Sequence, residues 1–430
     1  MYSPGQKQYI LKNSLGVSYH VYFEQGRGLC IRMLSDSRIW SRGYMLDKSA
    51  INDFSAVLDR NDIFHFFFQT QDGRLMYGHG MHGQIELQPV LNSRDSTPWP
   101  KHVSLLFLER TALCFYVIKY QNRNLVSMQT IQDGNLSRPI AISYIEDSCY
   151  LSFSDAEGKC HLLYVSSDKS KKHLYHRILK DDFSTFNLPE RLFSTDYTIG
   201  PLSAVCTEAN NIHIAFEVSG DEFHEIIYMK PASGGKTVTL YRSGTAPGST
   251  GLAYINGVIY FFRVNDEKIY FRCSENNGES WSDEALYPLG NNIVCYSYFS
   301  NHPKDKTIYA REIPGNFTRG YQLAFLDEEK VRSAQDRKIS NSRENDYISN
   351  LEKKIILLQN VTDNMQRELT KLWLTQKNFE KRLEYLIRSF SEMQDQTQNP
   401  PLDGYNEETP SEPGEDASET IQTGDNCENV

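Results

Sequence analysis

Histidines, carboxylates and glycine-lysine turns are the groups in this chain that could do chemistry, and their spacing limits what chemistry that is. Two His-x-x-His pairs, His79 with His82 and His173 with His176, offer imidazoles to a metal ion. Both lie in strand-like runs, where residues three apart point to opposite faces, a poor geometry for one ion. They are expected to be partly exposed strand histidines, and no metal site is assigned. Ser233-Gly234-Gly235-Lys236 lacks the spacing of a phosphate-binding loop and is expected to be a hairpin turn. Lys169-Ser170-Lys171-Lys172 is a short basic run, read as a solvated loop tip. Glycoside hydrolysis needs two carboxyl groups about 5–10 Å apart. With 55 Asp and Glu in the chain, no pair stands out. No catalytic residue and no cofactor is assigned.

Eight cysteines are scattered without CxxC or Cys/His spacing. Cys30, Cys114, Cys149, Cys206, Cys273 and Cys295 fall in or beside strand-like runs, where a thiol behaves as a small apolar group. Buried, reduced thiols are the expectation. The first residues show no charged segment followed by an apolar one, and no apolar run approaches the ~20 residues of a membrane span. A cytoplasmic location is expected, with non-classical export left open. Charge is uneven: the chain has 45 basic and 55 acidic residues, and ten acidic residues with no Lys or Arg follow from Asp395. The body is thus neutral, which argues against non-specific nucleic-acid binding.

Residues 8 to 326 supply the elements that must position any site. They are rich in Tyr, Phe, Val and Ile, in short runs broken by Asp, Asn and Gly, a strand-and-turn composition. A repeat emerges when the runs are stacked. Phe54–Leu58, Ile63–Phe68 and Leu75–Tyr77 make one unit; Leu202–Cys206, Ile212–Phe216 and Ile226–Tyr228 make another. Leu252–Ile255, Val258–Phe262 and Ile269–Tyr270 make a third, and Ile140–Tyr144, Cys149–Phe153 and Leu162–Tyr164 a fourth. An apolar-aromatic pair closing the third strand recurs at Ile39-Trp40, Met76-Tyr77, Leu163-Tyr164, Ile227-Tyr228 and Ile269-Tyr270, with Val126-Ser127 as a degenerate copy. The intervals of 37, 50, 37, 64 and 42 residues suit four-stranded antiparallel blades. The longest leaves room for an insertion around Asp181 to Phe193. A last copy at Tyr321–Phe325 makes about seven blades, with six possible. Tyr9-Ile10-Leu11 is expected to close the ring as the outermost strand of the last blade, beside Tyr321 to Leu326. The 52 aromatic residues can fill blade interfaces or line a sugar-binding face.

Ser274-Glu275-Asn276-Asn277-Gly278-Glu279-Ser280-Trp281 resembles the Asp box of sialidase-type (BNR-repeat) propellers, with Asn276 where that family has Asp. The resemblance implies a structural hairpin turn built on Ser274, Asn276, Gly278 and Trp281, away from the active site. It also raises sialidase chemistry, which uses an arginine triad beginning at an Arg-Ile-Pro motif near the start of the domain. The nearest string here, Arg311-Glu312-Ile313-Pro314, carries an inserted residue and lies at the other end. No catalytic residue is carried over.

From Ile348 to Met393 a heptad register runs unbroken. Its seam is Ile348, Leu351, Ile355, Leu358, Thr362, Met365, Leu369, Leu372, Gln376, Phe379, Leu383, Leu386, Phe390 and Met393. A strict 3.5-residue period asks for partner helices wound into a left-handed coil. Leading Ile/Leu heptads favour two strands, while Val361, Trp373 and Ile387 on flanking positions suit a wider association or packing on another surface. The expected organisation is a β-propeller over 1–327, a charged lead-in and coiled-coil helix over 328–395, and a disordered acidic tail over 396–430. The expected function is a non-enzymatic, homo-oligomeric propeller that binds a protein or glycan. The alternatives are a sialidase-like glycoside-active enzyme and a purely structural surface or particle component.

Overall fold

The computed structural model describes residues 7–92, 99–147, 149–168, 170–290, 292–317, 320–336 and 342–398. The chain divides into two compact units, Met1–Ser340 and Asn341–Val430. Six sheets form the first. Blade one holds β1 (Gln8–Lys12), β2 (Ser18–Glu24), β3 (Gly28–Met33) and β4 (Tyr44–Asp47). Blade two holds β5 (Ala50–Leu58), β6 (Phe64–Thr70), β7 (Leu75–Met81) and β8 (Gln84–Leu91). Blade three holds β9 (Ser104–Leu108), β10 (Thr111–Tyr120) and β11 (Arg123–Gln132), with β12 (Asn135–Leu136) and β13 (Ile140–Ile145) both paired to β11 as a broken outer strand. Blade four holds β14 (Tyr150–Ser154), β15 (Cys160–Asp168), β16 (Lys171–Ile178) and β17 (Glu190–Thr195). Blade five holds β18 (Thr198–Cys206), β19 (Ile212–Ser219), β20 (His224–Met229) and β21 (Thr237–Ser243). Blade six holds β22 (Ser249–Ile255), β23 (Val258–Asn265), β24 (Lys268–Ser274) and β25 (Ala285–Tyr287).

Each blade is apolar on both faces, and the period of two shows why. On β6, Phe64, Phe66 and Phe68 pack against blade one, while Phe67 packs against blade three. On β10, Ala112, Cys114 and Tyr116 face blade two, and Leu113, Phe115 and Val117 face blade four. Second strands buried on both sides therefore read as nearly continuous apolar runs. Six apolar clusters fill the six junctions of the ring. Most of the aromatic residues are spent there: Phe66, Phe67 and Phe68 are all fully buried, each worth about 1.5–3 kcal/mol of transfer free energy.

The blades number six, not about seven, and the phase of one unit differs from expectation. Ile140–Tyr144 closes blade three rather than opening blade four. Leu163-Tyr164 lies on the second strand of blade four, whose third strand carries its own pair, Leu174-Tyr175. No insertion is then needed, because Glu190–Thr195 is an ordinary outer strand. Ile39-Trp40 lies between β3 and β4, where Trp40 makes an isolated bridge to Leu34.

Closure also takes another route. After blade six come β26 (Val294–Ser300), β27 (Ile308–Ala310), β28 (Glu312–Asn316) and β29 (Gln322–Leu323). β26 pairs in parallel with β1, β28 returns antiparallel on β26, and β27 pairs with the innermost strand of blade six. A two-stranded wedge thus joins the inner strands of the first and last blades. Tyr9–Leu11 is an inner strand, not an outermost one, and its closing partner is Ser297–Phe299. Tyr321 meets this region through a 2.8 Å bond with Ser18. Ile10 and Leu11 are fully buried. Deleting residues 1–14 removes both β1 ladders and these side chains, so the melting temperature should fall by on the order of 10 °C or more; an unchanged value would contradict the closure.

α1 (Glu328–Asp336) belongs to the first unit. Asp327 accepts the Lys330 backbone N–H at 3.2 Å, an N-terminal cap. Val331 and Ala334 are buried against blade six and Phe325. The charged lead-in is therefore partly a packed helix. α2 (Ser342–Gln398) forms most of the second unit. No helix among the described residues is long and apolar enough to cross a membrane. The acidic tail from residue 399 lies outside the described residues.

Candidate functional site

The first strands of blades two to five, together with β1, β26 and β27, surround a cavity of about 380 Å³ on the ring axis. That lies near the lower end of the roughly 300–1,000 Å³ range of small-molecule sites. Its wall alternates serines with aromatic rings, among them Ser152, Ser154, Phe107, Phe153, Tyr298 and Tyr309. The inner strands are held to one another by their serines. The Leu105 backbone N–H donates to Ser55 Oγ at 3.1 Å, the Leu252 N–H to Ser203 Oγ at 2.9 Å, and Ser104 Oγ and Ser152 Oγ share a 2.8 Å bond. The twin Ser-Ala-Val segments, Ser55–Val57 and Ser203–Val205, are thus blade clasps.

Turns of one design stand at the mouth, each joining a first strand to a second. In blade two the Asp59 and Ile63 backbones pair, Asp62 turns back on Asp59 with φ +62°, and the Asp59 carboxylate accepts N–H bonds from Asn61 and Ile63. Asp155–Lys159 repeats this in blade four, Thr207–Asn211 in blade five and Asn13–Val17 in blade one. Six residues beyond the turn acceptor, blades two, four and five each place a buried histidine: His65, His161 and His213. His65 bonds Tyr77, His161 bonds His176 at 2.9 Å, and His213 bonds Tyr228 at 2.6 Å. The Asp155 carboxylate, an acceptor only, accepts a hydrogen bond from His161 Nε2–H at 3.1 Å, so His161 Nδ1 accepts from His176. Burial pushes His65, His176 and His213 down to about 4. These side chains tie second strand to third within each blade as neutral imidazoles. This repeat of a turn acceptor six residues ahead of a histidine is written in the sequence itself, at 59/65, 155/161 and 207/213.

The two carboxylates that line the cavity are both engaged. Asp305 accepts from Lys12 at 2.9 Å, Tyr298 at 2.8 Å and Ser300 at 2.6 Å. Burial alone would raise its pKa, but these bonds outweigh it and hold the group below the ordinary carboxylate range. Asp155 behaves alike, with the Lys159 N–H and His161 overcoming burial. Arg311 stands at the point where the chain leaves blade six for the wedge, and its side chain crosses the axis to the opposite blades. There Nη1 donates to the Ser152 carbonyl and Nη2 to Ser104 Oγ at 3.2 Å. Next to it, Glu312 is exposed to solvent inside the ring. Burial raises its pKa despite the opposing fields of Arg311 and Lys7.

The sequence-derived residues fall into two separate places. Ser274, Asn276, Gly278 and Trp281 form the turn between β24 and β25. The Gly278 N–H donates to Ser274 Oγ at 2.9 Å, and the Ser280 N–H to Asn276 Oδ1 at 3.0 Å. Gly278 has φ +83°, and a Cβ there would sit 1.7 Å from Tyr228 Oη, so only glycine fits. Trp281 packs edge-on against Tyr228, ring centroids 5.0 Å apart. This turn does not line the cavity. The seam lies on α2. Ile355, Leu358, Met365, Leu369, Leu372, Phe379, Leu383 and Leu386 are each about half or more exposed in the single chain. The side chains of Ile348, Leu351, Phe390 and Met393 lie outside the described residues. Thr362 and Gln376 satisfy themselves along the helix, bonding the Leu358 carbonyl at 2.8 Å and Glu380 at 3.1 Å.

His173 and His176 face opposite sides of β16, one bonded to Ser194 and the other to His161. No group of three or more potential metal ligands occurs among the described residues. Ser233–Lys236 is a hairpin connection, with Gly234 left-handed at φ +70°. Seven cysteines are free thiols, five of them buried. Burial pushes Cys149 up to about 12 and drives Cys114, Cys160 and Cys295 upward as well.

No protein-family model and no curated protein matches the chain. Among solved structures, an ulvan lyase assigned to a polysaccharide lyase family is 10% identical over 75% of this chain and 92% of its own, with a TM-score of 0.50. AofleA from Arthrobotrys oligospora is 10% identical over 75% and 94%, with a TM-score of 0.38. A variant of the Aleuria aurantia lectin, in complex with a fucosyl-GlcNAc, is 10% identical over 66% and 97%, with a TM-score of 0.41. At 10% identity the likeness to the ulvan lyase shows a propeller-like fold and nothing of activity.

Proposed function

We propose that this protein is a non-enzymatic binding propeller, multiplied by self-association of α2, that takes a glycan or a protein through its axial cavity and the turns around it. The observation that carries the reading is the state of the cavity's acids. Asp155 and Asp305 are consumed by structural bonds, so neither is placed to give or take a substrate proton, while Ser154, Ser297, Phe107 and Tyr309 keep accessible surface for a ligand. The exposed α2 stripe supports the second half, because a continuous apolar seam in water asks for partner helices. Linked copies turn weak sites into avidity gains of roughly 10²–10⁴. The glycan half is in keeping with the ligand of the fucose-complexed lectin and the substrate class of the ulvan lyase. The likeness of the Asn276 turn to an Asp box belongs to the same reading, as a structural hairpin in a sialidase-like ring.

The test is binding of the full chain and of a chain ending at Ser340 to immobilised glycan and protein arrays. The cut falls after α1 because Val331 and Ala334 are core residues. The full chain should bind, and the shortened one should lose most apparent affinity while keeping its fold. Equal binding by both would contradict the avidity half, and no binding by either would contradict the whole.

One observation favours a catalytic alternative. Glu312 is solvent-accessible within the ring with a raised pKa, the condition of a general acid. If the chain cleaves a glycan, Glu312→Gln should abolish turnover without lowering stability, and the binding-only reading would fall.

A further inference from the structure

Arg311 has a setting that ring closure alone does not explain. Its guanidinium lies on the axis, lines the cavity and bonds only two neutral acceptors, the Ser152 carbonyl and Ser104 Oγ. A guanidinium carries five N–H donors in a fixed fork and is always charged. Among the described residues, no carboxylate oxygen stands within 4.0 Å of it. The two acids of the cavity are committed elsewhere, Asp305 to Lys12 and Asp155 to His161. Glu312 follows it in the chain, but this acid is not part of the cavity wall. Glu312 lies within reach of its field but makes no ion pair with it, so the guanidinium keeps donors that an arriving anion can take up. Lys306, exposed on the same wall, adds a second positive charge.

We infer that the axial cavity takes a carboxylate-bearing sugar, a hexuronate or a short saccharide ending in one, with the carboxylate clamped by Arg311. The inference rests on the binding reading and names its ligand. The rest of the wall complements a sugar ring. Half-buried Phe107 and Tyr309 give apolar surface for its C–H side, and Ser154 and Ser297 give hydroxyls for its own. The cavity's size admits one or two such rings. Arg311 is also a crossbar of the ring, so its removal can affect folding as well as binding. The structural role predicts a lower melting temperature alone; the ligand role predicts a change in which sugars bind.

The experiment is calorimetric titration of the full chain with D-glucuronate and D-galacturonate, with D-glucose and acetate as controls. Three variants accompany it: Arg311→Gln, Arg311→Lys and Ser154→Trp. Ser154 is an exposed wall residue, so the tryptophan fills the cavity without touching the crossbar. The uronates should bind and glucose should bind roughly 10- to 100-fold more weakly. Arg311→Gln should erase that preference, Arg311→Lys should keep part of it, and Ser154→Trp should abolish binding of both sugars at unchanged stability. If Arg311→Gln does not fold, the lysine and tryptophan variants decide. Glucose binding as well as glucuronate, with Arg311→Lys indistinguishable from the parent, would overturn the uronate assignment and leave the binding reading intact. Acetate binding as tightly as glucuronate would overturn the sugar half. Uronate binding untouched by Ser154→Trp would overturn the location. No sugar bound, together with empty glycan and protein arrays, would overturn both readings.

Discussion

Acidification from pH 7 to pH 5 should cost this protein a large share of its stability, well before its carboxylates protonate. His65, His176 and His213 are 5%, 6% and 0% exposed. All three have native pKa values of about 4 against an ordinary 6.5, with burial the leading cause. Neighbouring groups modify it: Asp59 partly offsets burial at His65 while His79 adds to it, His161 adds at His176, and Lys230 adds at His213. Above pH 6.5 such a residue is neutral folded or unfolded, and stability is flat. Below 6.5 the unfolded chain takes up a proton that the folded chain refuses, so stability falls until the native value near 4 is reached. At pH 5 each histidine costs about 2 kcal/mol and the three about 6 kcal/mol. Typical stabilities are only roughly 5–15 kcal/mol. His20 and His161 are shifted in the same direction and steepen the fall. Urea midpoints measured at half-unit steps from pH 7.5 to 4.5 should decline through this window, with uptake of about three protons on unfolding. Midpoints that stay level from pH 7 to pH 5 would show that these imidazoles are not held neutral by the ring.

Breaking the seam should have an equally large effect, on association alone. Leu369 and Leu372 occupy adjacent a and d positions near its centre and are 62% and 65% exposed in the single chain. In a helix pair each leucine would bury about 1.5–3 kcal/mol. The double substitution Leu369→Asp, Leu372→Asp removes four such side chains from a dimer and introduces four carboxylates. The dissociation constant should rise by roughly 10⁴-fold or more. The propeller's melting transition should not move, because the two units are separately compact. Lys371→Ala is the matched control: its 2.7 Å pair with Glu368 is solvent-exposed, and such pairs contribute little. Sedimentation velocity of the three proteins distinguishes the cases, and a double variant that sediments like the parent would place the stripe's partner elsewhere.

Much of the ring was legible because the information is local. Runs such as Phe64–Phe68 and Val258–Phe262 are strands by composition, and their spacing gives blades whatever lies between. The Ser274–Trp281 turn was legible too, since a glycine at positive φ and an oxygen two residues ahead of it act within eight residues. Phase was harder. Ile140–Ile145 and Tyr150–Ser154 are both short apolar strands, and nothing within either says which side of a blade boundary it occupies. That depends on pairing with β11, set by a turn at Asp133-Gly134 and a break before Ile140. The closing wedge was beyond reach for the same reason. Tyr9–Leu11 pairs with residues nearly 290 positions away, and one apolar strand offers no sign of whether its partner is Ser297 or Tyr321. Arg311, set beside an arginine motif of sialidases, is informative only once the chain is seen to change partners at that residue and aim it across the axis. The charged lead-in hid α1, because only Val331 and Ala334 of its nine residues are known to face the core.

The central claim, a binding propeller multiplied through its C-terminal helix, is tested most directly by light-scattering mass coupled to size exclusion. The full chain and a chain ending at Ser340 are run side by side at several concentrations. The full chain should run as a defined oligomer, and the truncated chain as a folded monomer. A full-length monomer at every concentration would contradict the claim, and so would an oligomer that survives the loss of α2.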